Sequence, residues 1–186
     1  MADGCLLSDS IKSVCRYSFI VFRIAINDKR KTVPQMFTPE KALSKALKFC
    51  AYQERSQQEM RDKLYSWGLH QREVENILSH LISEGFLKEE RFAIAYAGGK
   101  FRVKKWGKIK IKLALKNKKV SEPLIKKALG EISDSDYRKM LLKVISSKEK
   151  LVKETDPYKR KYKIASYAIS RGFEPQLVWE VLGEFE

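Results

Sequence analysis

The chain is poor in the residues that build redox, metal or hydrolytic chemistry. It has three cysteines, Cys5, Cys15 and Cys50. The number is odd and no two form a CxxC pair, so neither a disulfide framework nor a structural zinc site is supported. It has two histidines, His70 and His80, ten residues apart and without an acid or cysteine at ligand spacing. Both are expected on a helix surface or at a helix cap, and no metal is expected. The glycine pair in "AGGK" (residues 97–100) lacks the spacing and the Ser/Thr of a phosphate-binding loop. No serine or cysteine nucleophile arrangement is visible. The sequence therefore reads as a non-enzyme that needs no cofactor. Long apolar runs are also missing. "YSFIVFRIAI" (residues 17–26) is about half the length of a bilayer span, and Arg23 interrupts it. "NDKRK" follows it in place of a small-residue cleavage site. A membrane span and a signal peptide are thus both unexpected, and the cysteine usage fits a reducing cytoplasm.

Acidic charge is the other scarcity. The 186 residues carry 38 Lys or Arg against 23 Asp or Glu, a formal net charge of +15. The deficit is concentrated: residues 91–120 contain no acid at all. Within them "KFRVKKWGKIKIKLALKNKK" (residues 100–119) holds ten Lys or Arg. Such a segment associates with polyanions, nucleic acid first among them. The plainer reading is a solvated basic face. The 44% hydrophobic content supplies a real core, and the 33% charged content is mixed in sign, which excludes wholesale disorder.

What is present is helical. In "FTPEKALSKALKFCA", Thr38 stands at an N-cap and Pro39 at the first helical position. Ala42, Leu43, Ala46, Leu47 and Cys50 then form one stripe, with Cys50 a small core residue. In "RSQQEMRDKLYSWGL", Ser56 and Glu59 have the spacing of a capping box, and Gly68 ends the helix. A third helix carries Val74, Ile77, Leu78 and Leu81 and stops before Gly85. Three short helices with short links make a small bundle. Residues 1–36 match none of this. Two readings stand for them: a loosely packed arm, or sequence upstream of the true start. Met36 directly precedes the first clean helix signal, which favours the second.

The same phrase then returns. "MRDKLYSWGLHQREVENIL" begins at Met60, "IKLALKNKKVSEPLIKKAL" at Ile111 and "IASYAISRGFEPQLVWEVL" at Ile164, spacings of 51 and 53 residues. Leu64, Leu115 and Ala168 correspond, as do Leu69, Val120 and Phe173 after the turn. Val74, Ile125 and Val178 match, and so do Leu78, Leu129 and Leu182. A period near fifty residues with a kept apolar phase means tandem helical modules. The fold class is all-α: three tandem three-helix repeats forming an elongated, curved helical array. The expected divisions are 1–36 (extension), 37–88 (repeat 1), 89–132 (the basic repeat 2) and 133–186 (repeat 3). The repeat also decides the reading of "KIKIKL". Its alternation suits an amphipathic strand, but its counterpart is the capped helix after Ser56. Residues 106–118 are therefore expected to be mostly helix, with Gly107 where Ser56 stands in the first unit. The four matched leucines Leu64, Leu78, Leu115 and Leu129 are expected to be buried.

These phrases resemble a known family. "EGFLKEERFAIAYA" is similar to the stretch leading into the second repeat of the RecX family, with Glu89, Glu90, Arg91, Phe92 and Ala93. Trp106-Gly107 and the helix after it resemble the opening of that repeat. "AISRGFEPQLVWEVL" resembles the C-terminal Arg-Gly-Phe helix pair, at Arg171, Gly172 and Phe173. The likeness covers residues 37–186, and it is carried by the order of three units rather than by a single motif. Two positions depart from it: Glu replaces the Asp of the acidic pair, and Lys119 replaces a small turn residue. The resemblance implies a regulator of bacterial homologous recombination and DNA repair, acting as a monomer. Such proteins bind the RecA–single-stranded-DNA filament and restrain its ATP hydrolysis and strand exchange.

The residues expected to meet the filament or its nucleic acid are Arg102, Lys104, Lys105, Lys108, Lys110, Lys112, Lys116, Lys118 and Lys119. Lys108, Lys112 and Lys116 stack on one helix edge at i, i+4 spacing. Phe101 and Trp106 interleave with them and either stack on bases or join the core. Arg91, Trp106 and Arg171 are candidate partner contacts. Arg91 pairs with a glutamate of its own repeat or with a filament acid, and Phe92 belongs in the core. Two other classes of function fit the residues: a free-standing helical DNA-binding protein, and an α-solenoid scaffold for an acidic protein.

Overall fold

The structure is a computed structural model, and it describes residues 37–183. The extension 1–36, with Cys5, Cys15 and the apolar run, lies outside the described residues. Within them the chain forms nine helices and no strand. They are α1 (Pro39–Tyr52), α2 (Gln57–Ser66), α3 (Gln71–Ser83), α4 (Glu89–Arg102) and α5 (Lys108–Asn117). α6 (Glu122–Gly130), α7 (Asp134–Glu149), α8 (Pro157–Ser170) and α9 (Pro175–Gly183) complete the array. The expected all-α array is what forms.

Local chemistry sets the helix ends. Pro39 opens α1 behind Thr38, although the Thr38 side chain makes no capping bond. Ser56 and Glu59 close the capping box of α2: Ser56 Oγ accepts from the Glu59 N–H at 3.1 Å, and Glu59 Oε2 accepts from the Ser56 N–H at 3.4 Å. Ser56 is fully buried, so those bonds are what make its burial tolerable. Glu73 does the same for α3, accepting from the His70 N–H at 2.8 Å. Asp156 caps α8 by accepting from Tyr158 and Lys159 N–H groups, with Pro157 at the first helical position.

The middle helix of each unit ends in the same left-handed turn. Gly68 has φ 85°, Gly172 has φ 92°, and Lys119, at the equivalent position, has φ 58°. The hairpin geometry is thus kept where the small residue is not, and a lysine side chain is held in a region that costs L-residues about 1–2 kcal/mol. The residue after each turn, Leu69, Val120 or Phe173, plugs into the core.

Packing follows the matched positions. Leu64, Leu115 and Ala168 are fully buried, as are Val74, Ile125 and Val178. Leu78 and Leu182 are buried too. Leu129 is not: it lies half-buried against the core edge. Leu129 falls in the last turn of α6 beside exposed Gly130, while the residue before it, Ala128, takes the fully buried position. In "KIKIKL" the helix wins: Ile111 and Leu115 are buried, and Ile109 and Leu113 are left facing solvent.

The apolar core is in two parts. One runs from Ala42 to Leu87 inside α1–α3. The other is continuous from Phe92 to Leu182 and joins α4–α6 to α7–α9. Truncating a fully buried leucine costs about 2–5 kcal/mol, so Leu64→Ala and Leu115→Ala should both be severe in urea unfolding. Lys119→Gly should act in the opposite direction and stabilise by about 0.5–1 kcal/mol, because relief of the left-handed lysine exceeds the added chain entropy of glycine. A neutral Leu115→Ala or a destabilising Lys119→Gly would show that the second unit is not built like the first.

Candidate nucleic-acid interface

The basic segment is held by its own first helical turn. Gly107 caps α5 without a side chain, which leaves the free N–H groups of α5 to find partners elsewhere. They find them in the third unit. Gly107 N–H donates to Arg171 O at 2.9 Å, and Ile109 N–H to Gly172 O at 3.1 Å. Lys108 N–H donates to the Tyr137 hydroxyl at 3.0 Å, and that hydroxyl donates to Glu174. Burial and the Glu174 bond push the Tyr137 phenol well above its ordinary pKa. The approach is close: a Cβ on Gly107 would lie 2.0 Å from Gly172 O, and one on Gly172 would lie 2.3 Å from the Lys110 Cβ.

That docking disposes of much of the charge. Lys108 pairs with Asp134 at 2.9 Å and lies over the Tyr137 ring. Lys110 donates to Ser170 O at 3.1 Å and flanks Trp106. Lys112 and Lys116 both reach Glu122, at 2.6 and 3.1 Å. Lys118 pairs with Glu59 of the first unit and flanks Tyr96. The segment that is acid-free in sequence is therefore partly neutralised in space. The three-lysine edge divides: Lys112 and Lys116 share one carboxylate, while Lys108 turns to the third unit.

The remaining cations stay exposed and carry no acid partner among the described residues. They are Arg102, Lys104 and Lys105 in and after the last turn of α4, and Lys119 in the αL turn. Arg102 and Lys105 are joined by lysines outside the acid-free run, which the sequence reading did not include. Lys139 and Lys143 of α7 and its C-cap Lys150 stand at i, i+4 and i+11 along one face, a spacing visible in the sequence. Lys105, Lys143 and Lys150 line an open groove of about 580 Å³ with Ser146 and Ser147 on its wall. Arg102, Lys139 and Lys143 line a smaller cleft of about 220 Å³ with Asp136 and Glu131. In the same basic run Val103 is 74% exposed and Ile109 and Leu113 are 49% and 59% exposed. These apolar positions were also missed, although "KIKIKL" cannot bury all its apolar residues on one helix face.

The other named residues take structural posts. Phe101 is buried and stacks on Tyr137, 6.0 Å between centroids, so it is core. Phe92 is buried as expected. Trp106 is half-buried, with Lys100 and Lys110 over its ring at 5.1 and 5.2 Å. Arg91 pairs with Glu54 at 2.9 Å and donates to Gly85 O at 3.2 Å. Its partner thus comes from the α1–α2 connection rather than from its own repeat, because the first turn of α4 faces that connection. Arg171 donates to Lys104 O, which fastens the α4–α5 loop to the end of α8. Among the described residues no cluster of His, Cys, Asp or Glu could hold a metal ion, and no helix is long and apolar enough to cross a membrane.

Comparison with known proteins gives these units a name. Three family models match in order: the first three-helix domain of RecX over 42–81, the second over 89–129 and the third over 134–182. The chain belongs to the RecX family. Regulatory protein RecX of Clostridium acetobutylicum is 31% identical over 149 residues, which is 77% of this chain and 68% of that protein. Regulatory protein RecX of Prosthecochloris aestuarii is 29% identical over 144 residues, 77% of this chain and 93% of that one. The crystal structure of RecX from Lactobacillus salivarius superposes with a TM-score of 0.70 at 21% identity, covering 78% of this chain and 95% of that chain. A second RecX crystal structure gives 0.71 at 20% identity, covering 99% and 81%. At that identity the two structures bear on the fold alone. Two of the phrases that resemble the family, Trp106-Gly107 and Arg171-Gly172-Phe173, meet in this RecX fold.

The Lys112–Glu122–Lys116 triad has a titration signature. Hydrogen bonds from Lys112, then Lys116, hold the Glu122 carboxyl below the usual glutamate range. The pairing is thus present above the ordinary glutamate pKa and is lost only as pH falls through the lower value. A carboxyl-detected NMR titration should find Glu122 among the lowest glutamates, and Lys112→Met with Lys116→Met should return it to the ordinary range. An unshifted Glu122 in the parent would mean that both lysines are free for other partners.

Proposed function

We propose that this RecX-family chain binds the RecA–single-stranded-DNA filament and restrains its ATP hydrolysis and strand exchange, acting in the cytoplasm as a monomer without cofactor or catalysis of its own. The observation that carries the reading is the run of exposed cations without acid partners among the described residues, Arg102, Lys104 and Lys105, which continues into Lys139 and Lys143 of α7 and its C-cap Lys150. A basic groove alone fits any polyanion. The exposed apolar side chains Val103, Ile109 and Leu113 of the same basic segment fit a partner that is also protein. A nucleoprotein filament offers both surfaces at once. In this reading Lys108, Lys110, Lys112, Lys116 and Lys118 set the shape of the interface and shift partner as it forms, Lys119 adds a cation at the turn, and Arg91, Trp106 and Arg171 support it from behind. A duplex-reading protein would leave the apolar strip unused, and a scaffold for an acidic protein would show no dependence on DNA.

The test is inhibition of RecA ATP hydrolysis on single-stranded DNA across a salt series. Lys104→Glu, Lys105→Glu and Lys143→Glu together should leave the fold intact, since exposed substitutions cost little. Inhibition should fall sharply. If the three cations meet phosphates, the slope of log affinity against log salt should flatten by about 2, near 0.7 for each single-strand phosphate that the variant no longer meets. A folded triple variant that inhibits like the parent at every salt concentration would remove this surface from the account.

A further inference from the structure

The third unit carries a second feature that the basic groove does not use. Four aromatic side chains of α8 and α9 face solvent: Tyr158 at 80%, Tyr162 at 59%, Trp179 at 41% and Tyr167 at 37% exposure. Single exposed rings are ordinary, but a cluster of them is not. Tyr158 and Tyr162 are one turn apart on the same face of α8. Tyr162 meets Trp179 of α9, with ring centroids 6.4 Å apart and planes inclined by 39°. Neither ring of that pair is covered by the core, so the contact leaves π-faces open. Tyr162 and Tyr167 also line an open groove of about 590 Å³ with Lys148, Lys153 and Leu151.

The charge around these rings is one-sided. Among the described residues its acids are already engaged: Glu154 with Lys163, Asp156 with Lys159, Glu149 with Arg160 and Glu180 with Arg138. Hydrogen bonding and attraction from Lys163 hold the Glu154 carboxyl below the usual range. Lys153 has no acid partner among the described residues, and Lys148 lies over the Tyr167 ring, 5.0 Å from its centroid. Open aromatic faces beside unpaired cations suit a ligand with flat π-surfaces on an anionic chain. A purely apolar protein surface would leave the lysines without purpose, and an acidic peptide would leave the rings without partners. Leu151 lines both this groove and the one formed by Lys105, Lys143 and Lys150, so one strand can pass from phosphate contacts to base contacts without leaving the surface.

We infer that Tyr158, Tyr162 and Trp179 form a stacking platform for the unpaired bases of single-stranded nucleic acid, with Lys148 and Lys153 taking the phosphates between them. This binding needs no RecA and goes beyond the filament reading. The test compares labelled oligothymidylate with an abasic deoxyribose-phosphate strand of the same length and charge, by fluorescence anisotropy with the full chain alone. The parent should hold the base-bearing strand more tightly by about tenfold for each stacked base. Tyr158→Leu with Tyr162→Leu should erase most of that preference and leave abasic affinity unchanged. Tyr158→Phe with Tyr162→Phe, which keeps the rings, should retain it and serves as the folding control. Equal affinity of the parent for both strands would overturn the inference, and so would a Leu variant that keeps the preference. Loss of binding to DNA-free RecA with the strand preference intact would overturn it in favour of a protein-docking surface. Inhibition of RecA ATP hydrolysis, read separately, stands or falls with the lysine groove.

Discussion

A side chain on Gly107 would collide with the backbone of Gly172, since its Cβ would lie 2.0 Å from that carbonyl oxygen. The second and third units are joined at this contact, and most of what surrounds the basic segment depends on it. Because the two backbones touch, the N–H groups that open α5 can donate to Arg171 and Gly172 carbonyls instead of to a capping side chain. Tyr137 completes the set by accepting from Lys108 N–H and donating to Glu174. Arg171 then reaches Lys104 O. The loop that carries Lys104 and Lys105 is fastened at both ends, above the lysines of α7. Exposed cations on a fixed loop lose less conformational freedom on binding than the same cations on a free one.

The junction between the first and second units is of another kind. The cores are separate, and the named links across it are polar: Arg91 with Glu54, and Lys118 with Glu59. Glu59 also accepts from the Ser56 N–H, so one carboxylate serves a helix cap and an inter-unit pair. Both pairs keep partial access to solvent, so each contributes modestly and weakens with salt. The array therefore has one rigid joint, made of touching backbone and shared core, and one softer joint made of charge.

Much of this was legible in the sequence. The caps at Ser56 and Asp156, the αL glycines and the apolar phase of the three units all act within a few residues, so short-range rules reach them. The helix in "KIKIKL" was legible only through its repeat partner. Long-range facts were not. Residues 91–120 contain no acid, yet Glu59, Glu122 and Asp134 come to them from outside the run. No local pattern announces those partners. Lys119 departs from the small residue expected at its turn, but the turn keeps its left-handed geometry and strains the lysine instead. Leu129 followed the repeat in phase and missed in depth: it lies half-buried at the core edge while Ala128 beside it is fully buried. Lys139, Lys143 and Lys150 were visible as a helix-face spacing, but the denser basic run beside them draws the eye first.

The most direct measurement is on Gly107→Ala, a change of one methyl group. Urea unfolding gives its stability, and amide hydrogen exchange follows the Ile109 N–H that donates to Gly172 O. The account predicts a loss of about 2 kcal/mol or more, since the methyl meets backbone that must move. It also predicts faster exchange at Ile109, with the amides of α1–α3 still protected because their core is separate. Parent-like stability with an undiminished Ile109 amide would contradict the account, and the joint between the second and third units would then rest on the shared apolar core alone.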